Sequence, residues 1–143
     1  MSPTLPTILL VDDDEPTRYS MRRLLSKLPL RGQVLEAEDG QQALALVEAH
    51  CQTTNIPRSL LVLLDLNMPV MDGLEFLEQQ VRLPEACQQI TAVIVVTATP
   101  SEAERERART MSVDVKPKPL TSEALAALVR QYLPAALEPA GQP

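Results

Sequence analysis

The chain has 143 residues, with 13 Lys plus Arg against 19 Asp plus Glu, a formal net charge of −6 and a sequence pI near 4.8. That length suits one domain with a respectable core, and the acidity removes the positive footprint that draws proteins to nucleic acid or anionic lipid. Aromatic residues are 2% of the chain, too few for a base-stacking platform; the four glycines are too scattered for a dinucleotide or P-loop fingerprint; His50, Cys51 and Cys87 form neither a zinc pattern nor a Ser-His-Asp triad.

In chain order, residues 1–6 carry no basic stretch and are expected to be disordered; with no run of 18 apolar residues anywhere, neither a signal peptide nor membrane insertion is expected, and a reducing cytoplasm is the natural compartment. Residues 7–11, Thr-Ile-Leu-Leu-Val, form a strand. A helix follows over 16–28, with Met21, Leu24, Leu25 and Leu28 on one face. Residues 33–37 are a weaker strand, 40–51 a helix carrying Ala43, Leu44 and Val47, and 53–58 a loop. Residues 60–64 are apolar at every position, which a strand tolerates only when both faces are covered, so this strand belongs in the centre of a sheet. A helix over 73–83 comes next, then a second wholly apolar strand at 92–96. The charged segment 101–111 is a surface helix capped by Ser101 with Glu104 three residues on. Residues 113–115 are a short edge strand and 122–133 the last helix, stopped by Pro134 and followed by a proline-containing tail over 134–143. Strands alternating with helices predict an α/β fold, a doubly wound parallel sheet of five strands with helices on both faces.

Ligands of such sheets collect at the carboxyl ends of the strands. Asp12, Asp13, Asp14 and Glu15 follow the first strand, Asp65 and Asn67 the third, Thr97 the fourth and Lys118 the fifth. Three clustered carboxylates stay ionised together only around a cation, and a set of carboxylate and carbonyl oxygens suits Mg²⁺ or Mn²⁺. Lys118 and Thr97, opposite the acids, offer a cation and a hydroxyl to an incoming anion such as a phosphoryl group.

Four segments together carry a resemblance: Leu10-Val11-Asp12-Asp13-Asp14; Leu64-Asp65-Leu66-Asn67-Met68-Pro69-Val70-Met71-Asp72-Gly73; Val96-Thr97-Ala98; and Lys118-Pro119-Leu120. In order and position they resemble the receiver domain of two-component response regulators, in particular the stand-alone, chemotaxis-regulator-like type, over residues 7–133. The resemblance implies a flavodoxin-like sheet of strand order 2-1-3-4-5. It implies that Asp65 accepts the phosphoryl group, that Asp13 and the Asn67 main-chain carbonyl bind Mg²⁺ with Asp65 while Asp12 supports the metal through water, that Thr97 hydrogen-bonds the phosphoryl group, and that Lys118 pairs with it. The donor it implies is a histidine kinase or histidine phosphotransfer protein, and the output a contact with a downstream protein rather than with nucleic acid, since few residues follow the last helix. A cis peptide before Pro119 would aim Lys118 inward; Lys116-Pro117 offers a rival register, and the helix start at Ser122 favours Lys118. The chain departs from the family at Val115, where most members carry an aromatic residue, and at Met111-Ser112, which replace the usual Gly-Ala.

Other readings compete. A haloacid-dehalogenase-like phosphatase also uses an aspartyl phosphate, but wants an acid where this chain has Asn67. A non-phosphorylated interaction module would not need the acid set, and a flavin carrier would need a Ser/Thr-rich phosphate loop where Asp12 to Glu15 stand. Among the individual residues, Glu15 reads as a helix cap, Asp72 as a turn former, and His50, Cys51 and Cys87 as helix-face or packing residues.

Overall fold

The computed structural model describes residues 5–98 and 100–137. Five strands, β1 (Thr7–Val11), β2 (Gln33–Ala37), β3 (Leu60–Leu64), β4 (Thr91–Thr97) and β5 (Asp114–Pro117), form one parallel sheet in the order β2-β1-β3-β4-β5. Six helices surround it: α1 (Glu15–Leu25), α2 (Gly40–Thr53), α3 (Gly73–Gln80), α4 (Glu85–Ile90), α5 (Glu102–Met111) and α6 (Ser122–Tyr132).

Side-chain alternation along the strands assigns the layers. Leu9, Val11, Leu60, Val62, Leu64, Val93 and Val95 point to one face, where Ala43 and Val47 of α2, Phe76 and Leu77 of α3, Cys87 of α4 and Ala108 of α5 cover them. Ile8, Leu10, Leu61, Leu63, Ala92, Ile94 and Val96 point to the other, beneath Leu25 of α1 and Leu125, Leu128 and Val129 of α6. The two strands read as covered on both faces from their unbroken apolar runs, β3 and β4, are buried throughout, and so is β1.

Caps fix most helix starts. Asp72 with Glu75, and Ser101 with Glu104, form reciprocal capping boxes, and Thr121 caps α6. The cap of α1 is Asp14, whose carboxylate accepts from the Thr17 amide, and not Glu15, which lies in the first turn and pairs with Arg18 and Arg22. Helix α4 was not expected. Pro84 starts it, and six residues are too few to display a periodic face in sequence. The last strand is Asp114–Pro117, shifted from 113–115.

Residues 1–4 of the expected disordered start, and 138–143 of the tail, lie outside the described residues. What is described of the tail is ordered: Pro134–Ala136 form a 3-10 helix, Leu137 bridges to Leu30, and the Arg31 amide donates to the Ala136 carbonyl at 2.6 Å. Among the described residues no helix is long and apolar enough to cross a membrane.

Cys51 and Cys87 are not merely packing residues. They form a disulfide across a sequence separation of 36, with Cα atoms 5.4 Å apart, tying the last turns of α2 to α4. Beside it the buried His50 Nε2 lies 3.0 Å from the Ser59 hydroxyl, and the Ser59 amide donates to the Ile90 carbonyl, so the staple holds the amino-terminal end of the sheet. Closing a loop of that size stabilises a fold by about 4 kcal/mol in the chain-entropy account. Reduction with dithiothreitol should therefore lower the unfolding free energy by about that amount in urea titrations, leaving the far-ultraviolet spectrum unchanged; identical midpoints with and without reductant would show that the bond contributes nothing.

Candidate phosphoryl-acceptor site

Strand register builds the site before any side chain is considered. Val11 pairs with Leu64 and Leu64 with Val95, so β1 and β3 end level, and the Asp65 amide donates to the Val11 carbonyl at 2.9 Å. Thr97 pairs with Pro117, and the Lys118 amide donates to the Thr97 carbonyl at 3.0 Å. Neighbouring strands lie about 4.8 Å apart, so the residues just beyond these pairs must crowd one rim.

Asp12, Asp13 and Asp65 present carboxylate oxygens that all lie within 4.8 Å of one another. Asp12 and Asp65 are buried, at 4% and 6% exposure, whereas Asp13 is exposed. Lys118 faces them: its Nζ donates to Asp12 Oδ2 at 2.6 Å and lies 3.4 Å from Asp65 Oδ1. The Lys118–Pro119 peptide is cis; the rival Lys116 lies 3.4 Å from Asp114, so it is Lys118 and not Lys116 that the fold brings to Asp12 and Asp65.

The electrostatics follow from burial and pairing. Burial pushes the Asp65 carboxyl above its ordinary pKa and the charge of Asp12 pushes the same way, opposed by Lys118 and the Asn67 amide. Burial works against the Lys118 ammonium, but its hydrogen bond to Asp12 and the charges of Asp65 and Asp12 outweigh that and hold its pKa above the usual lysine value. Three carboxylates against one ammonium leave two negative charges at the rim. A divalent cation would balance them, and an all-oxygen donor set fits a hard ion such as Mg²⁺ rather than a thiophilic metal.

Two further features lie at the carboxyl ends of β4 and β5. Thr97 is 1% exposed and its Oγ1 has no hydrogen-bond partner among the described residues. A buried hydroxyl without a partner costs about 1–3 kcal/mol, so this one is either tolerated as strain or kept for a ligand. Beside it opens a cavity of about 230 Å³ lined by Thr97, Ala98, Pro100, Arg105, Val115 and Lys116. Val115, smaller than the aromatic residue common at this position, leaves that space unfilled.

The β3–α3 loop holds Asp65 from below. A Cβ on Gly73 would stand 2.4 Å from the Asp65 carbonyl oxygen, so only glycine lets α3 begin this close to the acid. Asn67 is exposed, and its amide reaches the Asp65 carboxylate. Asp72, read as a turn former, is the α3 cap, and Val70 takes a left-handed φ of 66° at the loop tip. Asp14 is held at α1 by Thr17, which lowers its pKa through both side-chain and backbone hydrogen bonds, and it does not belong to the acid cluster. One residue that sequence reasoning passed over is Arg18, buried directly behind the acids, whose Nη1 donates to the Asp12 carbonyl at 2.6 Å.

Comparison with known proteins agrees with this geometry. The sequence matches the response regulator receiver domain family over residues 8–130. It is 41% identical over 73 residues to the nitrate/nitrite response regulator NarL of Escherichia coli K12, covering 51% of this chain and 31% of that protein. It is 31% identical over 90 residues to the response regulator Rcp1 of a Synechocystis species, covering 63% of this chain and 60% of that protein. The chain thus spans less than two thirds of the length of either relative. Among solved structures, the chemotaxis protein CheY4 of Vibrio cholerae superposes with a TM-score of 0.70 at 25% identity, covering 91% of this chain and all of that one. On the family match, the strand order and the placement of its motifs at the strand ends, the chain belongs to the response regulator receiver domain family of two-component systems.

Proposed function

We propose that residues 7–133 act as the receiver domain of a response regulator that accepts one phosphoryl group on Asp65 and passes the signal on through protein contacts. The observation that carries this reading is the meeting of the Asp12, Asp13 and Asp65 carboxylates with the Lys118 ammonium, beside a buried Thr97 hydroxyl that lacks a partner. The phosphodonor is a histidine kinase or histidine phosphotransfer protein.

Asp65 is the nucleophile. Its carboxylate oxygen attacks phosphorus in line; an O–P bond forms, the N–P bond of the phosphohistidine breaks, and the electron pair returns to the imidazole. Lys118, already 3.4 Å from Asp65, offsets charge on the phosphoryl oxygens. Asp13, Asp65 and the Asn67 carbonyl, with Asp12 in support, would hold a Mg²⁺ or Mn²⁺ ion, which would supply further neutralisation of those oxygens. Thr97 donates to the phosphoryl group and so gains the partner it lacks. Receiver domains are phospho-acceptor switches rather than enzymes, and the only turnover we assign here is slow loss of the group from Asp65.

The energy available reaches, at its upper end, what switching needs. Hydrogen bonds to charged groups contribute about 1.5–3 kcal/mol each, so Thr97 and Lys118 together contribute about 3–6 kcal/mol. Inverting a population from 1:99 to 99:1 needs about 5.5 kcal/mol. Movement of Thr97 toward the phosphoryl group shifts β4, α5 and β5, and the open space beside Val115 accommodates the shift without an aromatic rotamer. We place the protein in the cytoplasm, where two-component receivers meet their phosphodonors; the Cys51–Cys87 disulfide runs against the thiol-reducing conditions of that compartment.

Incubation with Mg²⁺ and acetyl phosphate should add a single phosphoryl group by intact mass, stable in acid and labile in base. Asp65→Asn should take up none, and Asp13→Ala should need far more Mg²⁺. Labelling of Asp65→Asn at the wild-type level removes Asp65 from the reaction.

The pKa of Asp65 gives a separate test in metal-free protein. An acid whose pKa is raised by folding contributes stability that is complete below its unfolded value and lost as pH rises through the folded value. Asp65→Asn should therefore raise the urea midpoint at pH 7 and lose that advantage once pH falls below the ordinary value of 3.8. A lower midpoint at pH 7 would mean that the ionised carboxylate stabilises the fold through Lys118.

A further inference from the structure

We infer that Arg18 is a positioning residue for the acid cluster, an assignment that rests on the reading of those acids as a divalent-cation site. The side chain is 6% exposed, an unusual place for a guanidinium, and its three polar contacts lead to three different elements. Nη1 donates to the Asp12 carbonyl oxygen at 2.6 Å, at the end of β1. Nε donates to Glu36 Oε1 at 2.8 Å, on β2. Nη2 donates to Glu15 Oε2 at 2.5 Å, in the first turn of α1.

The first contact gives the residue a role beyond an ion pair. The peptide joining Asp12 to Asp13 is planar, so holding its oxygen also fixes its nitrogen and the direction in which the chain enters Asp13. Asp13 needs such help, because its carboxylate is exposed and has no hydrogen-bond partner among the described residues. Asp12 is held three other ways: its amide donates to Ala37, its Oδ1 accepts from the Asp14 amide at 2.9 Å, and its Oδ2 accepts from Lys118. Asp13 is aimed only through the backbone. The planar fork of arginine reaches a carbonyl and two carboxylates at once, which the single ammonium of a lysine cannot do.

Arg22 supplies the control. It shares both carboxylates, lying 2.6 Å from Glu36 and 3.4 Å from Glu15, but has no contact with Asp12. Outer partners of metal ligands change affinity by about 10–100-fold when removed. Arg18→Met should accordingly weaken Mg²⁺ binding, measured by calorimetry on the full chain, by about 10-fold or more, while Arg22→Met leaves it unchanged. In metal-free protein, Arg18→Met should speed hydrogen exchange at the Asp14 amide, and Arg22→Met should not. Wild-type Mg²⁺ affinity and Asp14 protection in Arg18→Met, or equal losses in Arg22→Met, would reduce Arg18 to a structural ion pair. If Arg18→Met does not fold, Arg18→Lys takes its place: it should lose both, and keeping both overturns the assignment. Absence of Mg²⁺ binding by the wild type would sink the cation site itself, and the exchange measurement would then decide the role of Arg18 alone.

Discussion

Like charges at adjacent strand tips are the constraint around which this molecule is arranged. Parallel pairing of β1 with β3 in level register forces Asp12 and Asp65 together at the edge of a dry core, where their repulsion is poorly screened. Lys118, brought in from beyond β5, offsets part of it, and the remaining charge is the basis on which we propose a divalent cation and then a phosphoryl group at the rim. The two apolar layers hold that register, and Gly73 holds the loop that carries Asp65 against it. Asp65, the acid proposed to react, is one that burial disfavours as a bare anion.

Much of this was legible in sequence because the signals are local. Uninterrupted apolar runs at 60–64 and 92–96 announce strands covered on both faces, and the polar residues just after each run announce the ligand edge of a parallel sheet. Lys118 over Lys116 followed from where the last helix had to begin. The resemblance to receivers then assigned roles that spacing alone could not.

What sequence hid depends on pairs distant in the chain or on elements too short to be periodic. Cys51 and Cys87 meet only because α2 and α4 pack side by side, and spacing does not reveal connectivity. The six residues of α4 carry no periodic signal, and the tail's contact with Leu30 involves one residue on each side. Arg18 looked like any charged residue on an amphipathic helix; the available clue was Glu36, the one charged residue in β2. Disulfide and acid rim occupy opposite ends of the sheet, so the covalent staple braces the amino-terminal ends of the strands and does not cross the carboxyl ends that carry the acids.

The claim on which the account turns is that Asp65, and no other acid at the rim, forms the acyl phosphate. Borohydride reduction of the protein after reaction with acetyl phosphate and Mg²⁺ converts the modified aspartate to homoserine, which peptide mass spectrometry locates. The account predicts homoserine at position 65; homoserine at position 12 or 13, or at no position in protein that has gained phosphoryl mass, would contradict it.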